Sequence, residues 1–379
     1  MTQAFPAAAP APAPAPTTGR VRWHELTVSA VEPLTDDAVA VTLAVPPELE
    51  ETFAFAAGQH LTLRREVNGV DLRRSYSICV SPAWARAHHA LRVGVKHLAD
   101  GAFSSWLVRS LAPGDQVQVM APQGHFVGPV RPGAARHHAA IAAGSGITPV
   151  LSLLTDALES EPLSQATLLY GNRRTSSVMF LEELEDLKNR FPARLNLVHV
   201  LSREEQEAEL LSGRLDGERL SRLLDALLPP ASVDEWYLCG PFAMVTGAQE
   251  LLVARGVDPR RVHLELFHVG DEPPVPRTEL EAAADAESAT VTVNLDGRTT
   301  RFEMADRAET VLAATLRARP DAPFACTGGV CGTCRARLVR GEVRMDRNYA
   351  LEPEELARGL VLACQSHPVT DEVELDYDA

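Results

Sequence analysis

The chain has 379 residues and a formal net charge of −15 at pH 7, with a composition ordinary for a globular protein. Its length exceeds that of a single ordinary hydrophobic core, so two or three domains are expected. The acidic balance argues against a nucleic-acid partner, because phosphates require a basic surface. No apolar run reaches membrane-spanning length, so we expect no membrane insertion and a cytoplasmic location.

Two stretches differ in composition from the rest of the chain. Residues 1–20 are rich in Ala and Pro and lack the basic and apolar regions of a signal peptide, which predicts a disordered leader. Residues 271–288 combine prolines, acidic residues and alanines, which predicts a linker. We therefore expect domains at 21–130, 131–270 and 289–379.

The first predicted domain contains short β-rich segments between turn residues, at 28–31, 38–43, 61–63, 75–78 and 116–119. Segments at this spacing predict a small closed barrel. In the string Arg74-Ser75-Tyr76-Ser77, Arg74 and Tyr76 share one strand face, where they suit a phosphate and a flat heterocycle, and Ser77 adds a hydroxyl. An ordinary strand with a surface arginine and a core tyrosine is the alternative.

A turn and a short helix follow Val95-Lys96, over residues 100–107. The helix start carries Gly101 and Ser104, which makes it a candidate anion site. Simple capping of the helix by Ser104 is the alternative.

The pattern changes after residue 136 to alternating strands and helices. A buried strand at 139–143 runs into Gly144-Ser145-Gly146-Ile147-Thr148-Pro149 and a helix at 150–158. This order suits a nucleotide pyrophosphate, although Pro149 departs from the G-x-G-x-x-G fingerprint. Further strands (167–170, 195–201, 235–238) and helices (180–189, 217–228) predict a parallel sheet with helices on its faces.

Ligands of such sheets bind at the carboxyl ends of the strands. Those ends carry Gly144, Arg173, Ser202-Arg203 and Cys239-Gly240. Guanidinium groups there favour the extra phosphate of NADPH over NADH, unless they are only solvated surface charges. The adjacent pairs His88-His89 and His137-His138 show no metal-ligand pattern, and we expect surface histidines.

Four cysteines near the C-terminus have the spacing C-x4-C-x2-C followed by a distant C, at Cys326, Cys331, Cys334 and Cys364. This is the ligand spacing of a plant-type [2Fe–2S] cluster. Gly328, Gly329 and Gly332 permit positive φ angles that bring backbone amides close to the sulfurs.

Two other uses of these cysteines are weaker. A zinc site usually has two short Cys pairs or a Cys/His mixture, and only one short pair is present. Disulfides do not suit a chain with few cysteines and no export signal.

These motifs occur together in one family. The strings at 74–77, 101–107, 122–126, 144–149, 239–244 and 263–267 resemble, in order and spacing, the ferredoxin–NADP reductase-like flavoproteins. The remainder resembles a plant-type ferredoxin, an order similar to the reductases of bacterial multicomponent oxygenases. The strings at 58–63 and 348–356 resemble most the reductase subunits of phenylacetyl-CoA epoxidases.

The resemblance implies a multidomain α/β plus β chain with three units: an antiparallel flavin-binding β-barrel, a parallel-sheet nucleotide-binding domain and a C-terminal β-grasp ferredoxin domain. It also implies a site for FAD and NADPH, with NADH less favoured. The implied catalytic residues are Ser77, Thr148, Cys239 and Glu265. The other implied cofactor contacts are Arg74, Tyr76, Val95, Lys96, Gly101, Ser104, Gly144, Gly146, Pro149, Arg173, Ser202, Arg203, Gly240, Met244 and Phe267.

Hydride from NADPH carries two electrons, whereas a [2Fe–2S] cluster accepts one, and a flavin connects the two. The resemblance therefore implies a reductase for an oxygenase, most simply a diiron phenylacetyl-CoA epoxidase. Reductases of Rieske-type aromatic or steroid hydroxylases, or of a hybrid-cluster protein, are the alternative partners. A redox sensor or electron store without turnover is the alternative from another class.

Overall fold

The computed structural model describes residues 22–67, 70–99, 101–267 and 288–379. The predicted leader, and the predicted linker except Ser288, lie outside these residues. Within the described ranges, no helix is long and apolar enough to cross a membrane.

The N-terminal part forms an antiparallel barrel. Its six strands lie in the order β4-β3-β6-β1-β2-β5, and a bridge between Ile78 and Val93 joins the two ends of the sheet. The strands are β1 His24–Thr35, β2 Ala38–Ala44, β3 His60–Val67, β4 Val70–Ser77, β5 Ala90–Lys96 and β6 Gln116–Val119. Inward side chains such as Leu26, Val41 and Leu63 are fully buried. The predicted closed barrel is confirmed.

Two short helices, α1 Pro82–His88 and α2 Ala102–Arg109, accompany the barrel. Sequence periodicity predicted neither α1 nor the full length of β5. Gly94 interrupts the apolar run of β5, because a Cβ there would lie 2.7 Å from Thr148 Cγ2 in the next domain.

The middle of the chain forms the predicted parallel sheet, and its strands lie in the order β11-β10-β7-β8-β9. The strand β11 was not among those predicted. The strands are β7 His137–Ala143, β8 Gln165–Asn172, β9 Leu195–Leu201, β10 Glu235–Gly240 and β11 Val262–Leu266. The helices are α3 Ile147–Ser160, α4 Leu181–Arg190, α5 Gly217–Leu227 and α6 Phe242–Ala254. Apolar residues of α3 and α4 pack on one sheet face and those of α5 and α6 on the other.

The expectation of surface histidines is right for His88 and His89 and wrong for His137 and His138. The strand β7 begins at His137, two residues earlier than predicted, and so carries both rings into the interior. His137 Nε2 lies 2.9 Å from Thr167 Oγ1. His138 Nε2 lies 3.0 Å from a carboxylate oxygen of the fully buried Glu161. Polar partners thus make burial of both rings tolerable.

The C-terminal part has a five-stranded sheet in the order β13-β12-β18-β14-β16, with β15 and β17 forming a separate pair. The strands are β12 Ala289–Leu295, β13 Arg298–Met304, β14 Arg335–Arg340, β15 Val343–Met345, β16 Leu360–Leu362, β17 Ser366–Pro368 and β18 Glu372–Asp376. The helices are α7 Val311–Ala318 and α8 Pro353–Ala357. Val311 and Ala314 of α7 pack into the core of this sheet.

The acidic C-terminal segment lies on a central strand of this sheet. The strand β18 lies between β12 and β14, parallel to the former and antiparallel to the latter. Its carboxylates also have partners within the domain. Asp371 pairs with Arg307, and Glu372 pairs with Arg301 and Arg340.

Candidate functional site

The barrel and the parallel sheet meet through a hydrogen bond between two predicted site residues. Ser77, at the end of β4, donates from Oγ to Glu265 Oε2 at 3.1 Å. Glu265 lies on β11 and pairs in register with Cys239 on β10. The fold thus brings Ser77, Cys239 and Glu265 together, although 188 residues separate Ser77 from Glu265. They lie near the carboxyl ends of the parallel strands, where ligands of such sheets bind.

Burial raises the pKa values of both Glu265 and Cys239. It raises the pKa of Glu265 to about 8, against the opposing effect of the hydrogen bond from Ser77. Burial also raises the pKa of Cys239 well above its usual value, and the nearby Glu265 carboxylate adds to this. Cys239 is therefore a neutral thiol near pH 7, whereas Glu265 exchanges its proton in the physiological range.

His60 is a member of this group that sequence reasoning did not assign. It lies opposite Ser77 in the β3–β4 pairing, with Nδ1 4.0 Å from Glu265 Oε1. Burial lowers the pKa of His60 to about 4, and the neighbouring His125 adds to the effect. Within the described part of the chain, the buried Nε2 of His60 has no hydrogen-bond partner. The only sequence signal for it is the family-like segment at 58–63, which contains this histidine.

Arg74 and Tyr76 leave an accessible face on β4. Arg74 is exposed, while Tyr76 is half-buried and stacks on Phe103 with ring centroids 6.2 Å apart. The positions of these side chains suit the predicted phosphate and ring contacts, which remain a proposal.

Some of the groups predicted to bind phosphate at the start of α2 already have hydrogen-bond partners within the chain. Ser104 Oγ donates to Gly101 O and accepts from Leu98 N, both at 3.1 Å. Ser104 is not the helix cap, since α2 begins at Ala102 and Gly101 occupies the cap position. The side chain of Val95 lies in the barrel core, and Lys96 Nζ lies 3.3 Å from Asp37 Oδ1. Val95 is therefore available to a cofactor only through its main chain.

The glycine-rich turn after β7 packs closely on β10. A Cβ on Gly146 would lie 2.2 Å from the carbonyl oxygen of Cys239, so only glycine fits. Gly144 has a φ of +54°, and its carbonyl accepts a hydrogen bond from the Tyr170 hydroxyl at 2.9 Å. The helix α3 begins at Ile147, so Thr148 and Pro149 lie in its first turn, and both are buried. The turn thus holds Thr148 beside the Cys239 segment.

The other predicted nucleotide contacts lie at the same end of the sheet. Ser202 and Arg203 follow β9, and the Arg203 amide donates to Arg173 O at 2.8 Å. Both guanidinium-bearing residues are exposed. The lack of a side chain at Gly240 leaves room for Met244, because a Cβ on residue 240 would lie 2.7 Å from Met244 Cε. Phe267 lies just beyond β11 and is 38% exposed.

An acidic residue lies beside these arginines and was missing from the prediction. The carboxylate of Glu204 accepts hydrogen bonds from Thr175 Oγ1 at 2.6 Å and Thr175 N at 2.9 Å. In dinucleotide sites a carboxylate at such a strand end binds the ribose hydroxyls of NADH, whereas arginine accommodates the phosphate of NADPH.

The four cysteines of the C-terminal domain form two thiol pairs. Cys326 lies beside Cys331, and Cys334 lies beside Cys364. Two neighbouring pairs suit a [2Fe–2S] cluster, which has four thiolate ligands.

Backbone conformation brings donors to these sulfurs, as the glycines predicted. Gly329 and Gly332 have φ angles of +78° and +68°. Gly328 does not, and Thr327 takes the positive φ of +53° instead. The Gly328 amide donates to Cys326 Sγ at 3.4 Å. The neighbouring Cys331 and backbone amides lower the pKa of Cys326, while the same neighbour relation and burial raise the pKa of Cys331. The two thiols thus titrate as a pair.

The two remaining cysteines, Cys79 and Cys239, are both buried. Cys79 is buried, and its thiol donates to Arg92 O at 3.2 Å. Burial raises its pKa to about 12, so it is inert, as expected for a buried apolar thiol.

Comparison with known proteins agrees with this three-part organisation. Three family models match: an oxidoreductase FAD-binding domain at 25–127, an oxidoreductase NAD-binding domain at 140–250 and a 2Fe-2S iron-sulfur cluster binding domain at 293–369. One subunit of the Escherichia coli K12 1,2-phenylacetyl-CoA epoxidase is 43% identical over 359 residues, which cover 94% of this chain and 98% of that relative. The chain belongs to the family of reductase components of oxygenases.

Other relatives of this reductase support the same family. The ferredoxin reductase component of the Mycobacterium tuberculosis 3-ketosteroid-9-alpha-monooxygenase is 37% identical and covers 93% of the chain and 96% of that component. The structure of phthalate dioxygenase reductase is similar with a TM-score of 0.58. The match covers 93% of this chain and 98% of the phthalate dioxygenase reductase chain, at 23% sequence identity, and shows that the two share a fold. This reductase is thus an oxidoreductase with FAD-binding, NAD-binding and [2Fe–2S] domains.

Proposed function

We propose that the chain carries electrons from NADPH, by way of FAD and a [2Fe–2S] cluster, to the oxygenase component of a phenylacetyl-CoA epoxidase. The hydrogen bond from Ser77 to Glu265, with Cys239 in register beside it, carries the proposal, because it joins the flavin-side and nicotinamide-side residues. FAD, when bound, accepts a hydride and passes on single electrons. Cys326, Cys331, Cys334 and Cys364 would hold the cluster.

The residues of the site have separate parts in this reaction. Ser77 orients the Glu265 carboxyl group through its hydroxyl. With a pKa of about 8, Glu265 holds or releases a proton near neutral pH. Cys239 remains a neutral, buried thiol beside Glu265 rather than a nucleophile. Arg74 and Tyr76 are left to bind the flavin.

This arrangement does not favour a redox sensor or electron store. A store of electrons needs no nicotinamide site, whereas Thr148 and Cys239 converge on the turn of Gly144 and Gly146. Reduction of the flavin by NADPH with catalytic turnover is the distinguishing property.

The relatives support the choice of partner. The Escherichia coli relative, at 43% identity over 94% of the chain, is named as a subunit of phenylacetyl-CoA epoxidase. A steroid monooxygenase is the second candidate partner, because the Mycobacterium tuberculosis component is 37% identical over 93% of the chain.

The partner is tested by drawing electrons from the reduced protein. The reductase is reduced anaerobically with one equivalent of NADPH and mixed with a phenylacetyl-CoA epoxidase oxygenase or, as control, a 3-ketosteroid monooxygenase oxygenase. We expect the first to reoxidise the cluster at least about tenfold faster, since docking positions the donor and acceptor. Equal or reversed rates would contradict the assigned partner while leaving the reductase activity intact.

A further inference from the structure

Arg73 is a buried arginine that the proposed electron path does not use. It lies on β4 directly before Arg74 and is only 1% exposed. Asp71, on the same strand, accepts hydrogen bonds from its Nε at 3.1 Å and from Nη2 at 2.7 Å. An arginine is rarely buried unless its charge and donors have partners, and the ion pair with Asp71 satisfies only part of the guanidinium.

The rest of the guanidinium contacts the C-terminal domain. Arg73 Nη1 donates to Ala322 O at 2.8 Å, and Nη2 donates to Pro320 O at 3.1 Å. Its carbon Cζ lies 4.2 Å from the ring centroid of Phe324 and 5.4 Å from that of Trp23 in the barrel. The planar guanidinium therefore contacts an aromatic ring of each domain, which lysine would not reproduce.

Each side of this contact lies close in sequence to one of the two proposed redox sites. Arg73 neighbours Arg74 of the flavin motif, and Phe324 precedes the cluster cysteine Cys326 by two residues. Two residues of chain span at most about 7 Å, so a shift at Phe324 moves Cys326 directly.

Two further contacts hold the same side of the C-terminal domain. Arg335 and His125 both meet the carboxylate of Glu355, at 2.7 Å and 3.4 Å. The ring of Tyr349 packs edge-on against Phe242 of α6, with centroids 5.7 Å apart. Unlike these partly exposed contacts, the Arg73 contact is buried and lies on the flavin strand.

We propose that Arg73 is a positioning residue that seats the cluster loop against the flavin strand and so sets the rate of electron transfer between the two domains. The inference rests on the proposed function. In each transfer the reduced flavin loses one electron and the oxidised cluster gains one, and Arg73 takes no part in the chemistry. Holding donor and acceptor in one geometry raises the rate of a transfer step.

The test compares Arg73→Gln with Arg64→Ala in the full-length holoprotein. Arg64 is the matched control, because it also pairs with Asp71, at 2.9 Å, and lies over Trp23 on the barrel side of the contact. FAD content and NADPH-driven ferricyanide reduction report the flavin site alone. Anaerobic stopped-flow absorbance reports cluster reduction. Hydrogen exchange of the peptide spanning 320–326 reports whether this segment still packs against Arg73.

For Arg73→Gln we expect cluster reduction at least about tenfold slower, faster exchange at 320–326, and ferricyanide reduction within about twofold of wild type. Arg64→Ala should leave all three near wild type. Wild-type cluster reduction in Arg73→Gln despite faster exchange would overturn the proposal. So would a parallel loss of FAD and ferricyanide reduction, which would make Arg73 part of the flavin site.

A second variant covers the case in which Arg73→Gln does not fold. Phe324→Leu removes the ring from the other side of the contact and leaves the barrel untouched. It should also slow cluster reduction, and a wild-type rate would contradict the proposal. If neither NADPH nor NADH reduces the wild-type flavin, the proposed function fails, and photoreduction of the flavin then measures the transfer step separately.

Discussion

At the scale of single residues, the site depends on a carboxyl group placed where burial opposes its charge. Glu265 is 12% exposed, and Ser77 is its hydrogen-bond donor. The same group that exchanges a proton near neutral pH therefore reduces the stability of the folded chain as the pH rises. If Glu265 acts as an acid or base, as proposed, function and stability are in conflict at this position.

The conflict gives a prediction for Glu265→Gln. Burial raises the pKa of Glu265 to about 8, so between pH 4.5 and 8 the folded state binds more protons than the unfolded state. Stability is then lost as the pH rises through this window. The glutamine variant lacks the titration and should gain on the order of 3 kcal/mol over wild type from about pH 5 to pH 8.

Thermal unfolding of the flavin-free protein at the two pH values measures this difference. Glu250→Gln, at an exposed position on α6, is the control for loss of one carboxylate. A difference in Tm between Glu265→Gln and wild type that does not change with pH would contradict a raised pKa for Glu265.

Local sequence patterns were enough to predict some of the residues discussed above and not others. The cysteines are recognisable because their ligand spacing is local, from Cys326 to Cys334. His60 and Arg73 were not assigned, since their significance lies in contacts with Glu265 and with Ala322, both far away in the sequence. A single sequence shows which side chains are present but not which distant partner makes a buried one useful.

At the scale of elements, the predicted strands of the parallel sheet have bounds that are right or wrong by two residues. The strand β11 was not predicted, and β7 begins at His137, so it buries two histidines that appear polar in the sequence. The strand β5 was missed because Gly94 breaks its apolar pattern, and the reason for that glycine is Thr148 in another domain. Tertiary contacts override local propensity in both cases.

The choice between NADPH and NADH is predicted to depend on residues that follow β8 and β9. If Arg203 binds the 2′-phosphate, Arg203→Ala should raise the KM for NADPH at least about tenfold and change that for NADH less than about twofold. Glu204→Gln is the matched variant on the neighbouring residue, and it should weaken NADH rather than NADPH if its carboxylate meets the ribose. Steady-state ferricyanide reduction with each cofactor gives both constants. Equal changes for the two cofactors in Arg203→Ala would contradict the choice of NADPH.

At the scale of the whole molecule, three domains bring three kinds of candidate site together. The barrel and the parallel sheet share the Ser77–Glu265 contact, and the C-terminal domain contacts both, through Phe324 and Tyr349. The fold class and the order of the domains were predictable from motifs and composition. The docked position of the C-terminal domain was not, because nothing local in the sequence specifies a surface that faces another domain.

The central claim is that electrons pass from NADPH to the flavin first and only then to the cluster of the four cysteines. Anaerobic stopped-flow absorbance of wild type and Cys331→Ser, each mixed with NADPH, tests it most directly. In wild type, bleaching of the flavin should precede reduction of the cluster. Cys331→Ser should lack the visible absorption of the cluster and still reduce ferricyanide through its flavin. Cluster reduction ahead of the flavin, or an unchanged cluster spectrum in Cys331→Ser, would contradict the claim.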